Sequence, residues 1–208
     1  FSTFPAGAEA IIEKALGKLG LGISVREKYS GLIVYEDHRS IQNIQKLRFF
    51  HNSFFLLYEI KGTSTLREVL NKLRTDNLFT SRLRKALPKS ASTLKIIASV
   101  ENQMVAMPPI QVKKLEKHIT NATKLSHSPF SPDSEIWIIQ PKEGFVLVGL
   151  RITYLDPSTP RPERGELSSQ MANTLCLASE PSSSDIVLDP FAGYGGIVFE
   201  RAKSFPYK

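Results

Sequence analysis

Apolar and polar positions in the first 60 residues follow two different periods. Apolar residues recur at spacings of three and four within Ala8–Leu19 and again within Arg39–Arg48, which predicts two amphipathic helices. Two of the segments around these helices alternate apolar and polar residues and another is strongly aromatic, which predicts strands. The predicted strands are Phe1–Pro5, Ile23–Glu27, Leu32–Glu36 and Ser53–Ile60. The resulting β-α-β-β-α-β order is typical of a ferredoxin-like unit.

A second, smaller α/β segment follows. Thr65 and Glu68 have the spacing of a capping box, which predicts the start of a helix. Further along, the pattern predicts a strand, a helix introduced by two prolines, and a two-stranded hairpin. These are Thr93–Val100, the segment after Pro108-Pro109, Glu135–Gln140 and Phe145–Thr153.

The last quarter of the chain has a different residue pattern from the two segments before it. Tyr154–Pro162 contains three prolines and predicts a stiff linker, and Glu166–Ser179 then has helical spacing. Asp185–Glu200 has the pattern of a buried strand, a glycine-rich turn and the start of a helix. We therefore predict an α+β chain with domains at residues 1–90, 91–155 and 156–208.

Composition narrows the class of protein. With 41% hydrophobic and 23% charged residues among 208, the chain is typical of globular proteins. Its apolar runs are too short to cross a bilayer and no N-terminal signal pattern is present, so we expect a cytoplasmic protein without a membrane partner. The single cysteine, Cys176, excludes an internal disulfide and a cysteine-based zinc cluster. The four histidines lack metal-ligand spacing, and we predict no metal site.

Positive charge is concentrated in the first 90 residues. They contain 15 lysines and arginines against 8 acids, a difference of +7, whereas residues 91–208 contain 12 of each. Such an imbalance favours a polyanionic partner, although a solvated helical face would give the same pattern. The candidate contacts with such a polyanion are Arg74, Arg82, Arg84, Lys85, Lys113, Lys114 and Lys117.

The glycine-rich turn is the strongest chemical signal in the chain. Gly193, Gly195 and Gly196 lack the Cβ that would keep the backbone away from a ligand, and the following helix would supply unpaired N–H groups. Glycine turns after strands are nevertheless common, so the spacing alone is also compatible with an ordinary tight turn.

Two motifs together resemble a known family. The stretch Asp189-Pro-Phe-Ala-Gly-Tyr-Gly-Gly196 resembles the first motif of S-adenosylmethionine-dependent nucleic-acid amino-methyltransferases. Upstream, Arg161-Pro-Glu-Arg-Gly-Glu-Leu167 resembles an element that precedes this motif in THUMP-containing RNA methyltransferases. The resemblance implies a ferredoxin-like domain and a THUMP domain, which together bind RNA, followed by the opening of a Rossmann-like methyltransferase domain.

The resemblance also implies a cofactor and the residues that hold it. S-adenosylmethionine would lie at the glycine turn, and Glu166 and Leu167 would close over it. Phe191 would either line the cofactor pocket or pack, and Glu166 could instead be a first-turn acid on its helix. Glu200 either corresponds to an acidic position in the family's motif or faces solvent. The predicted cofactor-binding residues are Glu166, Leu167, Asp189, Phe191, Gly193 and Gly195.

Two expected parts of such an enzyme are not found in the sequence. The position for a ribose-binding acid, about 20 residues beyond the turn, falls past Lys208, and no Asp/Asn-Pro-Pro-aromatic motif occurs. We therefore name no catalytic residue and expect this chain alone to be inactive. The resemblance implies methylation of guanine N2 in tRNA, or in ribosomal RNA, with no DNA partner. The alternative is a non-catalytic THUMP RNA-binding protein that carries a methyltransferase remnant.

Overall fold

The predicted β-α-β-β-α-β order is confirmed in the computed structural model, which describes residues 1–18, 22–38, 41–62, 64–153 and 162–205. The second helix is shorter than predicted, and its first residues, Arg39 and Ser40, lie outside the described residues. The elements are β1 (Ser2–Thr3), α1 (Glu9–Lys18), β2 (Ile23–Tyr29), β3 (Leu32–Asp37), α2 (Ile41–Gln45) and β4 (Asn52–Ile60).

These four strands lie in the order β2-β3-β1-β4 and every neighbouring pair is antiparallel. Only the first two residues of β4, Asn52 and Ser53, pair with β1. Ile12 and Leu16 lie four residues apart and therefore share one face of α1. This apolar face packs on the sheet. The buried cluster consists of Phe4, Ala8, Ile12, Leu16, Ile33, Phe49 and Phe50.

Residues 61–151 form a second set of elements. They are α3 (Leu66–Thr75), α4 (Asn77–Ala86), β5 (Thr93–Val100), β6 (Gln103–Met104), α5 (Pro109–Thr123), β7 (Ser126–His127), β8 (Ser134–Gln140) and β9 (Val146–Arg151). The Thr65–Glu68 capping box and the β8–β9 hairpin are confirmed. Helix α4 was not predicted. The structure shows that Asp76 caps the N-terminus of α4 and that Phe79 and Leu83 are buried on its inner face.

The second set of strands forms a mixed sheet. From β4 onward the order is β4-β9-β8-β5-β6, with β7 also paired to β5. The β5–β8 and β5–β7 pairs are parallel and the others antiparallel. Helices α3 and α5 cover the sheet through buried leucines and isoleucines, such as Leu73, Leu115 and Ile119, which belong to one apolar core.

The contacts divide the chain into two compact units. The central unit is Phe54–Arg151, and the split unit combines Phe1–Ser53 with Ile152–Lys208. These divisions differ from the boundaries predicted after residues 90 and 155. Helix α4 falls within the first predicted domain, but its Phe79 and Leu83 belong to the core of the central unit.

The C-terminal part of the split unit contains two helices, α6 (Ser169–Ala178) and α7 (Gly196–Ser204). Almost all of the linker predicted over Tyr154–Pro162 lies outside the described residues. The buried strand predicted at the start of Asp185–Glu200 is wrong, because Ile186 is 95% and Leu188 86% exposed. A strand requires a hydrogen-bonded neighbour, and no described residue pairs with this segment.

Neither unit contains a bilayer-spanning helix within the described ranges.

Candidate functional site

The glycine turn before α7 has a backbone that favours glycine. Gly193 has a φ of +52° and Gly195 a φ of +75°, both in the left-handed region that side-chain-bearing residues avoid. The Gly195 amide donates to the Ala192 carbonyl over 2.7 Å, which closes the turn. A Cβ on Gly195 would lie 2.9 Å from the Phe199 ring, so a larger residue would displace that ring. The turn therefore depends on glycine for conformation and for space.

Asp189 stands at the entrance of the turn. Its Oδ1 accepts a hydrogen bond from the Phe191 amide over 3.1 Å, which is an Asx-turn and fixes the carboxylate locally. The Phe191 side chain is 92% exposed. Phe191 was expected either to line the cofactor pocket or to pack against the protein. The ring does not pack against the protein and is accessible to a ligand.

Leu167 lies against the same turn. A Cβ on Gly196 would be 3.8 Å from the Leu167 carbonyl oxygen and 3.9 Å from its Cβ, so the two segments are in contact. Glu163 makes a second connection, because its Oε2 accepts a hydrogen bond from the Tyr194 hydroxyl over 3.0 Å. The sequence analysis did not identify the Glu163–Tyr194 pair. The structure therefore brings together the two segments that carry the motifs.

The helix after Leu167 begins later than predicted. Ser168 caps α6, since its Oγ accepts a hydrogen bond from the Met171 amide over 3.2 Å. Glu166 therefore precedes the helix, and the first-turn role considered for it is wrong. Its Oε2 instead accepts a hydrogen bond from the Glu163 amide over 2.8 Å.

Glu200 on α7 is buried rather than solvent-facing, and the solvent-facing role considered for it is wrong. Its carboxylate accepts hydrogen bonds from both sides of the Arg48 guanidinium, with Arg48 Nε 2.8 Å from Oε2, and from Asn173 Nδ2 over 3.2 Å. Burial by itself raises the pKa of Glu200, but the hydrogen bonds and charge of Arg48, with the bond from Asn173, bring the net pKa below its ordinary value. The hydrogen bonds from Arg48 to Glu200 raise the pKa of Arg48 correspondingly. A charged pair therefore anchors the helix that follows the glycine turn.

The neighbouring residue, Arg201, anchors the segment before the turn. Its Nη2 donates to Asp185 Oδ2 over 2.9 Å and to the Ser182 carbonyl over 2.8 Å. Cys176 on α6 is also buried, and burial raises the pKa of its thiol. The predicted strand segment is thus attached to α7 through Asp185 at its first residue.

The central unit carries a basic pocket between α3 and α5. Three of the seven predicted RNA contacts, Arg74, Lys114 and Lys117, line a cavity of about 400 Å³ together with His118 and Asn121. On α5 the lining residues have the spacing of one helical face, beside the buried residues Leu115 and Ile119.

The other four predicted RNA contacts do not line this pocket. Arg82 donates to the Leu57 carbonyl over 3.2 Å and Arg84 to the Ala122 carbonyl over 2.9 Å, so both guanidinium groups have structural partners. Lys85 and Lys113 are exposed on α4 and α5. Over the ranges that the structure describes, no three histidine, cysteine or acidic side chains are placed to hold a metal ion.

The comparisons show the fold of the chain. No family model and no curated protein matches it. TrmN from Thermus thermophilus is 21% identical with a TM-score of 0.69, and the match covers 98% of this chain and 60% of TrmN. SMU.472, a candidate methyltransferase complexed with S-adenosylhomocysteine (SAH), is 19% identical with a TM-score of 0.65 over 97% of this chain and 54% of its own.

A third similar structure is a predicted N6-adenine-specific DNA methylase from Listeria monocytogenes, with 17% identity and a TM-score of 0.64 over 97% of this chain and 53% of its own. The chain thus has the mixed α/β fold of these structures and spans between half and three fifths of their length.

Proposed function

We propose that this chain is part of an S-adenosylmethionine-dependent RNA methyltransferase and that the glycine turn before α7 binds the cofactor. The observation that carries the proposal is the pair of left-handed glycines, Gly193 and Gly195, with Leu167 in contact across the turn. SMU.472 has the same fold as this chain and was solved in complex with SAH, which supports the choice of cofactor.

The residues at the turn fit a nucleoside-like ligand. Gly195 precedes α7 without a side-chain cap, so the first amides of the helix are open to hydrogen-bond acceptors. Asp189 offers a carboxylate acceptor, and the exposed ring of Phe191 and the exposed Leu167 offer apolar surface. The bound cofactor would supply an electrophilic methyl group. This chain would hold and orient it, which is the main requirement of an in-line displacement.

The substrate part of the proposal rests on the central unit and on the motif pair. Seven exposed cations on α3, α4 and α5 provide sequence-independent attraction to phosphates. We propose that the chain has a ferredoxin-like N-terminal domain followed by a THUMP domain, and that the target is guanine N2 in tRNA or ribosomal RNA. Because one similar structure is a predicted DNA methylase, duplex DNA is the competitor against which RNA binding should be measured.

The proposal assigns cofactor binding to this chain and no catalytic residue. The sequence offers no Asp/Asn-Pro-Pro-aromatic motif for the target amine, so the 208-residue chain by itself is proposed to be inactive. Methyl transfer from labelled S-adenosylmethionine to a tRNA transcript by this chain would contradict that assignment.

Equilibrium dialysis with labelled S-adenosylmethionine tests the cofactor site. We expect the chain to bind the cofactor and Gly193→Ala to weaken binding about tenfold or more, because a left-handed alanine costs about 1–2 kcal/mol and a turn that relaxes no longer fits the ligand. Gly62→Ala is the matched control, since Gly62 has a φ of +84° in open space elsewhere in the chain.

Equal affinity in Gly193→Ala and Gly62→Ala would contradict the assignment of the turn. If the wild-type chain takes up no cofactor but binds tRNA, the alternative holds, namely an RNA-binding protein with a non-catalytic methyltransferase remnant.

A further inference from the structure

The pocket between α3 and α5 is built by two helices whose polar faces meet. Lys114, Lys117, His118 and Asn121 follow one another at spacings of three, one and three on α5, and Arg74 faces them from the last turn of α3. Buried residues of both helices, among them Leu73 and Ile119, fix the distance between the two faces. The cations are therefore held together by the apolar core of the central unit.

The three cations of the pocket have no anionic partner in the described part of the chain. Arg74, Lys114 and Lys117 form no ion pair there, and Glu116, the acid on the same helix, pairs with His127 Nδ1 over 3.2 Å. Asp76, next to α3, accepts hydrogen bonds from the Tyr58 hydroxyl and the Leu78 amide. Three positive charges around one cavity repel each other, and an anion in the cavity relieves that repulsion.

Two further polar side chains, His118 and Asn121, line the pocket beside the three cations. His118 Nε2 forms a hydrogen bond with Thr80 Oγ1 over 3.2 Å, which fixes the orientation of the imidazole at the pocket wall. Asn121 adds an amide that can donate hydrogen bonds. The Asn121 amide beside a guanidinium and two ammonium groups suits the oxygens of a phosphate, which accepts several charge-assisted hydrogen bonds at once.

We propose that this pocket binds a backbone phosphate of structured RNA and is the principal RNA contact of the central unit. The inference rests on the proposed function for its choice of RNA. It goes further by separating Arg74, Lys114 and Lys117 from the other four candidate cations. Arg82 and Arg84 already donate to backbone carbonyls, and Lys85 and Lys113 contribute only diffuse attraction.

A pair of triple variants tests the proposal. The pocket variant carries Arg74→Ala, Lys114→Ala and Lys117→Ala, and the matched control carries Lys85→Ala, Lys89→Ala and Lys113→Ala. Both remove three exposed positive charges from the central unit, so they have the same net charge. The measurement is the dissociation constant for a fluorescent tRNA transcript over a series of salt concentrations, by anisotropy.

We expect the pocket variant to lose at least tenfold in affinity at moderate salt, and its salt dependence to become shallower by about one per lost phosphate contact. The control should lose less than threefold. Lys114→Arg combined with Lys117→Arg, which keeps the charge, should bind within threefold of wild type, and the far-UV circular dichroism of the pocket variant should match that of wild type, which excludes misfolding as the cause of the loss.

Equal losses in the two triple variants would overturn the proposal, since they would mean that only net charge matters. Absence of tRNA binding by the wild-type chain would overturn it too, while leaving cofactor binding at the glycine turn unaffected. Polyglutamate that competes with tRNA at equal charge concentration would show a general anion site and would also overturn it.

Discussion

Glu200 illustrates how a single charged residue is tolerated inside the split unit. The residue is 4% exposed, and its carboxylate oxygens accept hydrogen bonds from Arg48 and Asn173. A buried charge is costly unless it is paired, and removing one partner of such a pair is more destabilising than replacing both. Arg48 is thus expected to stabilise α7 through its bonds to Glu200, although its own side chain is 41% exposed.

We expect Arg48→Ala to lower the free energy of unfolding by about 2 kcal/mol, below the usual range for fully buried pairs because water partly reaches Arg48. In the Glu200→Gln background the same substitution should cost less, because no buried charge is left unpaired. Urea unfolding of the double-mutant cycle measures both. Lys46→Ala, at a neighbouring exposed position, is the control, and an Arg48→Ala protein as stable as that control would contradict the pairing.

At the scale of single residues, local features could be predicted and distant partners could not. The need for glycine at positions 193 and 195 was predicted from the spacing and is visible in their positive φ angles. The partner of Glu200 lies 152 residues away in the sequence, where no local pattern indicates it. Only tertiary packing brings Arg48 to this carboxylate.

Among the elements, those with strong periodicity were predicted and those without it were missed. Helices α1 and α3 and the β8–β9 hairpin have clear apolar spacing or capping residues. Helix α4 escaped prediction because its apolar residues are few among basic ones. The apolar run Ile186–Leu188 suggested a buried strand, but local sequence does not report whether a neighbouring strand is present to pair with it.

The start of β5 is held by one carboxylate, which makes its stability dependent on pH. Asp133 Oδ2 accepts hydrogen bonds from the amides and hydroxyls of Ser92 and Thr93, all between 2.8 and 2.9 Å. These bonds, led by the one from the Ser92 amide, lower the pKa of Asp133 from 3.8 to about 2. Because the folded-state pKa is depressed, this stabilisation is present above pH 3.8 and is lost as the pH falls through about 2.

We therefore expect Asp133→Asn to be less stable than wild type at pH 5, and the difference to shrink as the pH approaches 2. Urea unfolding at a series of pH values measures this difference. Glu143→Gln, which changes an exposed carboxylate in the turn between β8 and β9, should show little difference at any pH. A stability gap for Asp133→Asn that stays constant from pH 5 to pH 2 would contradict the role of these bonds.

At the scale of the whole molecule, each compact unit carries one of the two proposed sites. The glycine turn belongs to the split unit and the basic pocket to the central unit. The order of the first six elements along the chain was predictable from periodicity. The division into units was not, because the chain returns to the split unit after Arg151, and such a return depends on contacts between distant segments.

The most direct test of the account is the map of backbone amide shifts in a ¹⁵N-labelled chain on addition of S-adenosylhomocysteine. The largest shifts are expected at the amides of Gly193–Val198 and at Leu167, because these groups border the proposed cofactor site. Shifts confined to other parts of the chain, or no shifts at saturating ligand, would contradict the central claim that this turn binds the methyl donor.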